Sequence, residues 1–272
     1  MISNNSAADE MYLSSLKKLI DDDTIDPAFR ALTLTLPSQD EVTQKCLDNG
    51  ITPDPLVIHQ SVEELNLAIS NHLKTSLENI YEKYVVAKEY IPDAVQSASR
   101  ALRNKALFFL AYQDGGELAK LQVQEALNMT DQLSAFSTLI KHNPTSENIN
   151  FFYNQWKHER LVIDKWFSAQ VIMAHPNYLN KVVKNLTNHR DFSLKTPNRI
   201  RSVLGAFSAN TAGFHQENGE NYELFSDWIL KVDPINPQVA ARMCSAFETW
   251  KRYDVNRQNL IKMQIDKILE AN

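Results

Sequence analysis

Gln238 and Arg242 are four residues apart, so on a helix they project from the same side. The apolar face of that segment is drawn by Val239, Met243, Phe247 and Trp250, which leaves Gln238 and Arg242 on a different face. A second pair of cations stands in Asn198-Arg199-Ile200-Arg201-Ser202-Val203-Leu204-Gly205-Ala206-Phe207. There Ile200, Val203, Leu204 and Phe207 form the apolar face, and Arg199 and Arg201 leave it on the flanks. Amide and guanidinium donors set out in this way can line a concave surface with polar groups. The same arginines can instead brace neighbouring helices through carboxylates or carbonyls, and spacing leaves both readings open.

The residues of catalysis give weaker signals. Among the seven histidines (His59, His72, His142, His158, His175, His189 and His215) none forms HxH or the HExxH pattern of a helical zinc site. The nearest fragment, His158-Glu159, has Val162 where the second imidazole belongs. No GxSxG is present, and Cys46 and Cys244 lack both CxxC spacing and a recognisable nucleophile context. They read as buried thiols. Glu63-Glu64 and Asp21-Asp22-Asp23 read as solvated faces, and Trp156, Trp166, Trp228 and Trp250 as core anchors. Lys251-Arg252 with Arg257 is too short a basic cluster, in a chain of net charge -5, to indicate nucleic acid. No ligand set for a metal or cofactor emerges.

The elements that must position these residues are helical. Only 6 of 272 residues are glycine, which argues against hairpin-rich sheets and against glycine loops that cradle phosphates. Leu65, Ile69, Leu73, Leu77, Ile80 and Tyr84 draw one helical stripe, and Ser61 with Glu64 has capping-box spacing at its start. Asp93 is a candidate cap for a long helix ending at Asp114-Gly115-Gly116. Another is expected from Thr130-Asp131. Asn143-Pro144 and Asn236-Pro237 place a capping side chain before a proline at the first helical position. Further helices are expected over 145–156, 159–174, 177–188, 198–207, 221–231, 237–249 and 255–270. Leu32-Thr33-Leu34-Thr35-Leu36 alternates like a strand but would have no partner, so helix is the expectation there too. Pro144, Pro176, Pro197 and Pro237 fall at unequal intervals, which excludes a fixed repeat but allows an irregular solenoid. No apolar run reaches the roughly 18 residues of a membrane helix, and Met1–Ser6 lacks a basic-then-apolar leader. A membrane partner is therefore not expected. A reducing, cytoplasmic setting is.

Several strings in register resemble one family. Asn198 to Ser202 with Gly205-Ala206-Phe207, and Asn236 to Arg242 followed by Lys251-Arg252-Tyr253-Asp254 and Arg257-Gln258, are similar to the C-terminal region of bacterial aminopeptidase N, a zinc metallopeptidase of the M1 family. Leu34 to Ser38, Leu102-Arg103-Asn104 with Phe109-Leu110-Ala111, Asn128 to Asp131 and Asp164 to Phe167 extend the resemblance over nearly the whole chain from about residue 8. It implies an all-α fold, an irregular right-handed superhelix of helical hairpins of the armadillo/HEAT-like α-solenoid kind. Residues 8–272 would form a single α-helical C-terminal domain, with 1–7 disordered or expression-derived.

The family's HExxH helix, later glutamate ligand, GAMEN-type loop and tyrosine have no counterpart here. The resemblance therefore implies a non-catalytic domain of a parent zinc aminopeptidase, with no zinc of its own. Its partners would be the catalytic domain of the same polypeptide and a peptide substrate, and it would cap the active-site cavity. By the same resemblance, Gln238 and Arg242 face that cavity on the leaving-peptide side. Arg201 either joins them or only braces two hairpins. The alternative from a different class is a free-standing helical-repeat scaffold that binds a protein partner.

Overall fold

Short polar side chains set most helix starts. Asp9, Ser38, Asp93, Asn128, Asn236 and Asp254 each accept a hydrogen bond from a backbone amide two or three residues into the helix that follows. In the computed structural model, residues 8–86 and 89–271 are described, and every regular element among them is helical. The expectation for residues 1–7 lies outside the described residues. The described residues group into two compact units, one of residues up to 37 with those of 60–155, the other of 38–59 with those from 156 on.

The first unit is built on the long helix Ala94–Asp114. Leu102, Ala106, Phe109 and Leu110 bury one side of it against Leu13, Leu16, Ile20, Ile69, Leu73, Leu77 and Ile80. Each fully buried aliphatic side chain contributes about 1.5–3 kcal/mol. Gly115 and Gly116 take the left-handed conformation (φ 67° and 94°) and turn the chain into the helix Glu117–Glu125. Several polar side chains of the interior pair with one another. The Lys141 ammonium lies 2.9 Å from both Glu63 oxygens, and the Tyr112 hydroxyl donates to Glu63 at 2.9 Å. Asn104 donates to Asp131 at 2.8 Å and accepts from Gln122 at 2.9 Å. Glu63 is thus part of a half-buried network rather than a solvated face.

The second unit is centred on aromatic rings. Phe207, Phe214, Tyr222, Phe225 and Phe247 meet at centroid distances of 5.2–6.4 Å, mostly edge to face, and such pairs add about 0.5–1.5 kcal/mol each beyond burial. His215 is sealed beside them, 2.8 Å from the Tyr222 hydroxyl and with its ring tilted against Tyr253 at 4.1 Å. Burial, aided by nearby Arg257, pushes its pKa down to about 3. Arg257 itself is buried, with Asp254 at 2.5 Å, Asp54 at 3.5 Å and Glu217 at 3.6 Å, and its Nε donates to the His215 carbonyl. Arg252 pairs with Asp40 at 2.8 Å. Arg252 and Arg257 of the basic cluster 251–257 are therefore taken up by ion pairs.

Some boundaries differ from the sequence reading. The helix expected from Ser61 begins at Pro55, because Asp54 accepts from the amides of Leu56 and Val57 ahead of a proline at the first position. It breaks at Leu73, and a second helix runs Lys74–Lys83. The cap at Thr130 moves to Asn128, and Asn143-Pro144 is displaced by Thr145, whose hydroxyl accepts from the Asn148 amide at 3.3 Å. The alternating stretch 32–36 is the end of the helix Pro27–Thr33 and the turn that leaves it, with the Thr35 amide bonded to the Leu32 carbonyl. Cys46 is buried, Cys244 is half-buried, and both are free thiols. Of the four tryptophans only Trp166 is fully buried.

Candidate functional site

The segment carrying Arg199 and Arg201 changes pitch within three turns. An α-helical turn Pro197–Ile200 passes into a π-helical turn Arg201–Gly205 and back to α at Ala206–Ala209. In the π turn the Ala206 amide reaches the Arg201 carbonyl five residues back. The Ser202 carbonyl, by-passed in that register, accepts the Ser168 hydroxyl at 3.0 Å. Such single wide turns occur frequently at functional sites, because they re-aim the side chains around them.

The two arginines part company here. Arg199 points inward, 2.9 Å from Asp164, with its guanidinium 4.8 Å from the Phe167 ring. This is the bracing arrangement foreseen as one alternative. Arg201 points outward, tethered by a long 3.3 Å hydrogen bond to Asn198. Across from it, Asn236 caps the helix Pro237–Cys244, and Val239, Ala240 and Met243 anchor that helix in the core. This leaves the Arg242 guanidinium exposed, with no hydrogen-bond or ion-pair partner among the described residues.

Arg201 and Arg242 line one cleft of about 370 Å³. Its walls also carry Ser208 and Ser245, and its apolar floor includes Phe225 and Met243. Phe225 is a member of the aromatic core, so the floor is held by the same packing that orders the unit. Both serine hydroxyls donate to backbone carbonyls, of Gly205 at 3.1 Å and Arg242 at 2.8 Å, which ties them to the elements bearing the arginines.

Gln238 is exposed in the first turn of its helix and is not among the residues lining the cleft. The structure thus brings Arg201 and Arg242 together and leaves Gln238 apart from them. Ser208, Ser245 and the π turn are additions that sequence reasoning missed. The hydroxyls carry no motif, and the apolar spacing of 200–207 fits an unbroken α-helix equally well.

The lining has two guanidinium groups and no carboxylate, histidine, cysteine or lysine. It can bind a carboxylate or peptide carbonyls, but it has no general base to activate its two serine hydroxyls. Zinc does not fit the donor set either. Among the described residues no three His, Cys, Asp or Glu side chains gather as a metal site. Nor, among them, is any helix long and apolar enough to cross a membrane.

The profile of the family described as "Domain of unknown function (DUF3458_C) ARM repeats" matches residues 1–272. The chain belongs to this family. Its all-helical architecture fits the α-solenoid that repeats of this kind build. Similar proteins are aminopeptidase N of Escherichia coli (strain K12), 36% identical over 253 residues and 91% of this chain, and aminopeptidase N of Caulobacter vibrioides, 32% identical over 271 residues and 97% of this chain. A solved structure titled as Legionella pneumophila aminopeptidase A in complex with aspartic acid superposes with a TM-score of 0.86 at 29% identity, over 97% of this chain. This chain spans 28–31% of the length of those two aminopeptidase N relatives and 32% of the solved chain. The resemblance seen in short strings thus extends across the chain, which is similar to the C-terminal domain of aminopeptidase N.

Proposed function

We propose that this family member is the non-catalytic C-terminal domain of an M1 zinc aminopeptidase, which removes N-terminal amino acids from peptides. Residues 8–272 would cap the active-site cavity and contact the departing peptide. Zinc and the reacting groups would belong to the catalytic domain of the same polypeptide, in a cytoplasmic enzyme. One observation carries the substrate role: two arginines from separate elements, neither held by a carboxylate, face one cleft with an apolar floor. A peptide offers such a cleft a terminal carboxylate, backbone carbonyls and side chains, and guanidinium forks bind carboxylate in a directional way. Gln238, one turn before Arg242, would reach the same peptide from outside the cleft.

Two experiments test the reading. The chain alone should not hydrolyse an aminoacyl chromogenic substrate with zinc present, and zinc-dependent turnover by it would contradict the assignment. Mixed with the separately expressed N-terminal part of its parent enzyme, it should restore activity that neither piece shows alone. Failure of stable association between the two would instead favour a free-standing scaffold.

A further inference from the structure

The helix Arg160–Ile172 places Asp164 and Ser168 one turn apart on the same side. Both grip the segment that forms one wall of the Arg201–Arg242 cleft. Asp164 lies 2.9 Å from the Nε of Arg199, and the Ser168 hydroxyl donates to the Ser202 carbonyl at 3.0 Å. The Ser202 hydroxyl in turn donates to the Arg199 carbonyl at 2.9 Å, which ties the two gripped residues together. Arg201 stands between these holds. It is exposed, whereas Arg199, Ile200 and Ser202 around it are buried.

The grip at Ser202 also bears on the register of the helix. In the π turn the Ala206 amide bonds to the Arg201 carbonyl, and an unbroken α-helix would return that amide to Ser202. Ile200, Val203, Leu204 and Phe207 are buried, but their spacing suits either register. The Ser168 hydroxyl discriminates between them. Its acceptor is a carbonyl that lacks its helical partner only in the wide register, and a buried carbonyl left unpaired is costly. A slip of one residue would turn the stem of Arg201 by about 100° relative to the turn Ala206–Ala209 that follows. Arg201 would then leave the wall it shares with Gly205 and Ser208, opposite Arg242.

We propose that Ser168 is a positioning residue for Arg201. By taking the carbonyl that the π turn leaves over, it fixes the register in which Arg201 faces the cleft. It touches no peptide itself. This role rests on the reading of the cleft as a peptide site, and it makes Ser168 a determinant of which peptide lengths are used well.

The test uses the full-length aminopeptidase that carries this domain, with kcat and KM measured for peptides of increasing length and for a single aminoacyl chromogenic substrate. Ser168→Ala should raise KM for peptides long enough to enter the cleft, lowering kcat/KM about threefold to tenfold, and leave the short substrate unaffected. Ser168→Thr keeps the hydroxyl and should restore the long-peptide values. The double variant Ser168→Ala/Arg201→Ala should lose no more than Arg201→Ala alone, because both changes act through one guanidinium. Equal losses for every substrate, or additive losses in the double variant, would overturn the proposal by reducing the hydrogen bond to a structural one. A long-peptide loss that persists in a Ser168→Thr variant of native circular dichroism would do the same. If Arg201→Ala impairs long peptides and Ser168→Ala does not, the positioning role alone falls. If Arg201→Ala changes nothing, the peptide reading of Arg201 falls and this role with it. A crystal structure of the chain bearing Ser168→Ala gives a readout apart from activity. It should show the Ala206 amide returned to the Ser202 carbonyl, and an unaltered π turn would overturn the proposal.

Discussion

The two units share one way of handling cations, and the second adds another. In the first, Lys141 is matched by Glu63 and Tyr112, and Arg30 by Asp23 at 3.0 Å and by the Tyr84 hydroxyl at 2.8 Å. In the second, Arg257 is treated likewise, but Arg201 and Arg242 are held at a cleft with no acidic partner. The difference separates charge that is matched inside the fold from charge left without an acidic partner at a cleft. A burial contrast two residues apart makes the point most sharply, because Arg199 is packed on Asp164 and Phe167 while Arg201 faces solvent.

The largest effect expected from this contrast is at Arg257. Replacing it with Met strips the partner from Asp254 and leaves the His215 carbonyl without its donor. Chemical denaturation should show a loss of about 1.5–3 kcal/mol, the range for hydrogen bonds to charged groups, because Arg257 is buried while its acidic partners are part exposed. A loss under about 1 kcal/mol would mean that the paired cations of this unit are as dispensable as surface ones.

A pH effect follows from the same region. His215 is neutral in the folded chain down to about pH 3, whereas an unfolded histidine takes up its proton near pH 6.5. Between those values the unfolded state binds the extra proton, so stability is full above about pH 6.5 and falls as pH drops towards 3. The groups around it, Arg257, Tyr222 and Tyr253, do not change charge over that range in free form. The difference in unfolding free energy between pH 7 and pH 5 should therefore shrink in His215→Gln. An unchanged difference would show that burial of this imidazole is not what couples folding to acid.

At Lys141 the pair is only partly buried, with side-chain exposures of 17% for Lys141 and 32% for Glu63. Lys141→Met should cost about 1 kcal/mol, since solvent screens the pair and the alkyl stem is retained. The smallest expected effect is at the cleft. Arg201→Ala and Arg242→Ala, alone or combined, should change stability by no more than about 0.5 kcal/mol, as for surface positions free of structural partners. A loss above about 2 kcal/mol at Arg201 would turn it into the hairpin brace of the alternative reading.

The sequence made much of this visible, for physical reasons. Caps such as Asp93 and Asn236 are local devices, so their helices begin where read. The stripe of Leu65, Ile69, Leu73, Leu77 and Ile80 also packs as a face, because 3.6-residue periodicity survives the break at Leu73. Ser61 misled because capping chemistry also occurs within helices, where Asp54-Pro55 had already supplied an earlier start. The division between Arg199 and Arg201 was not legible. It depends on Asp164 and Phe167, more than thirty positions away, and on a wide turn that hydrophobic spacing does not record. Likewise, nothing local to Gln238 and Arg242 says that only the second lines a cleft.

The central claim is that Arg242 is held open for a peptide. The direct measurement is kcat/KM against substrate length in the full-length aminopeptidase that carries this domain, with and without Arg242→Ala. The account predicts a loss of about tenfold for peptides long enough to enter the cleft, consistent with removal of a charged hydrogen bond, and little change for a single aminoacyl chromogenic substrate. Equal kcat/KM for the two enzymes at every peptide length would contradict it.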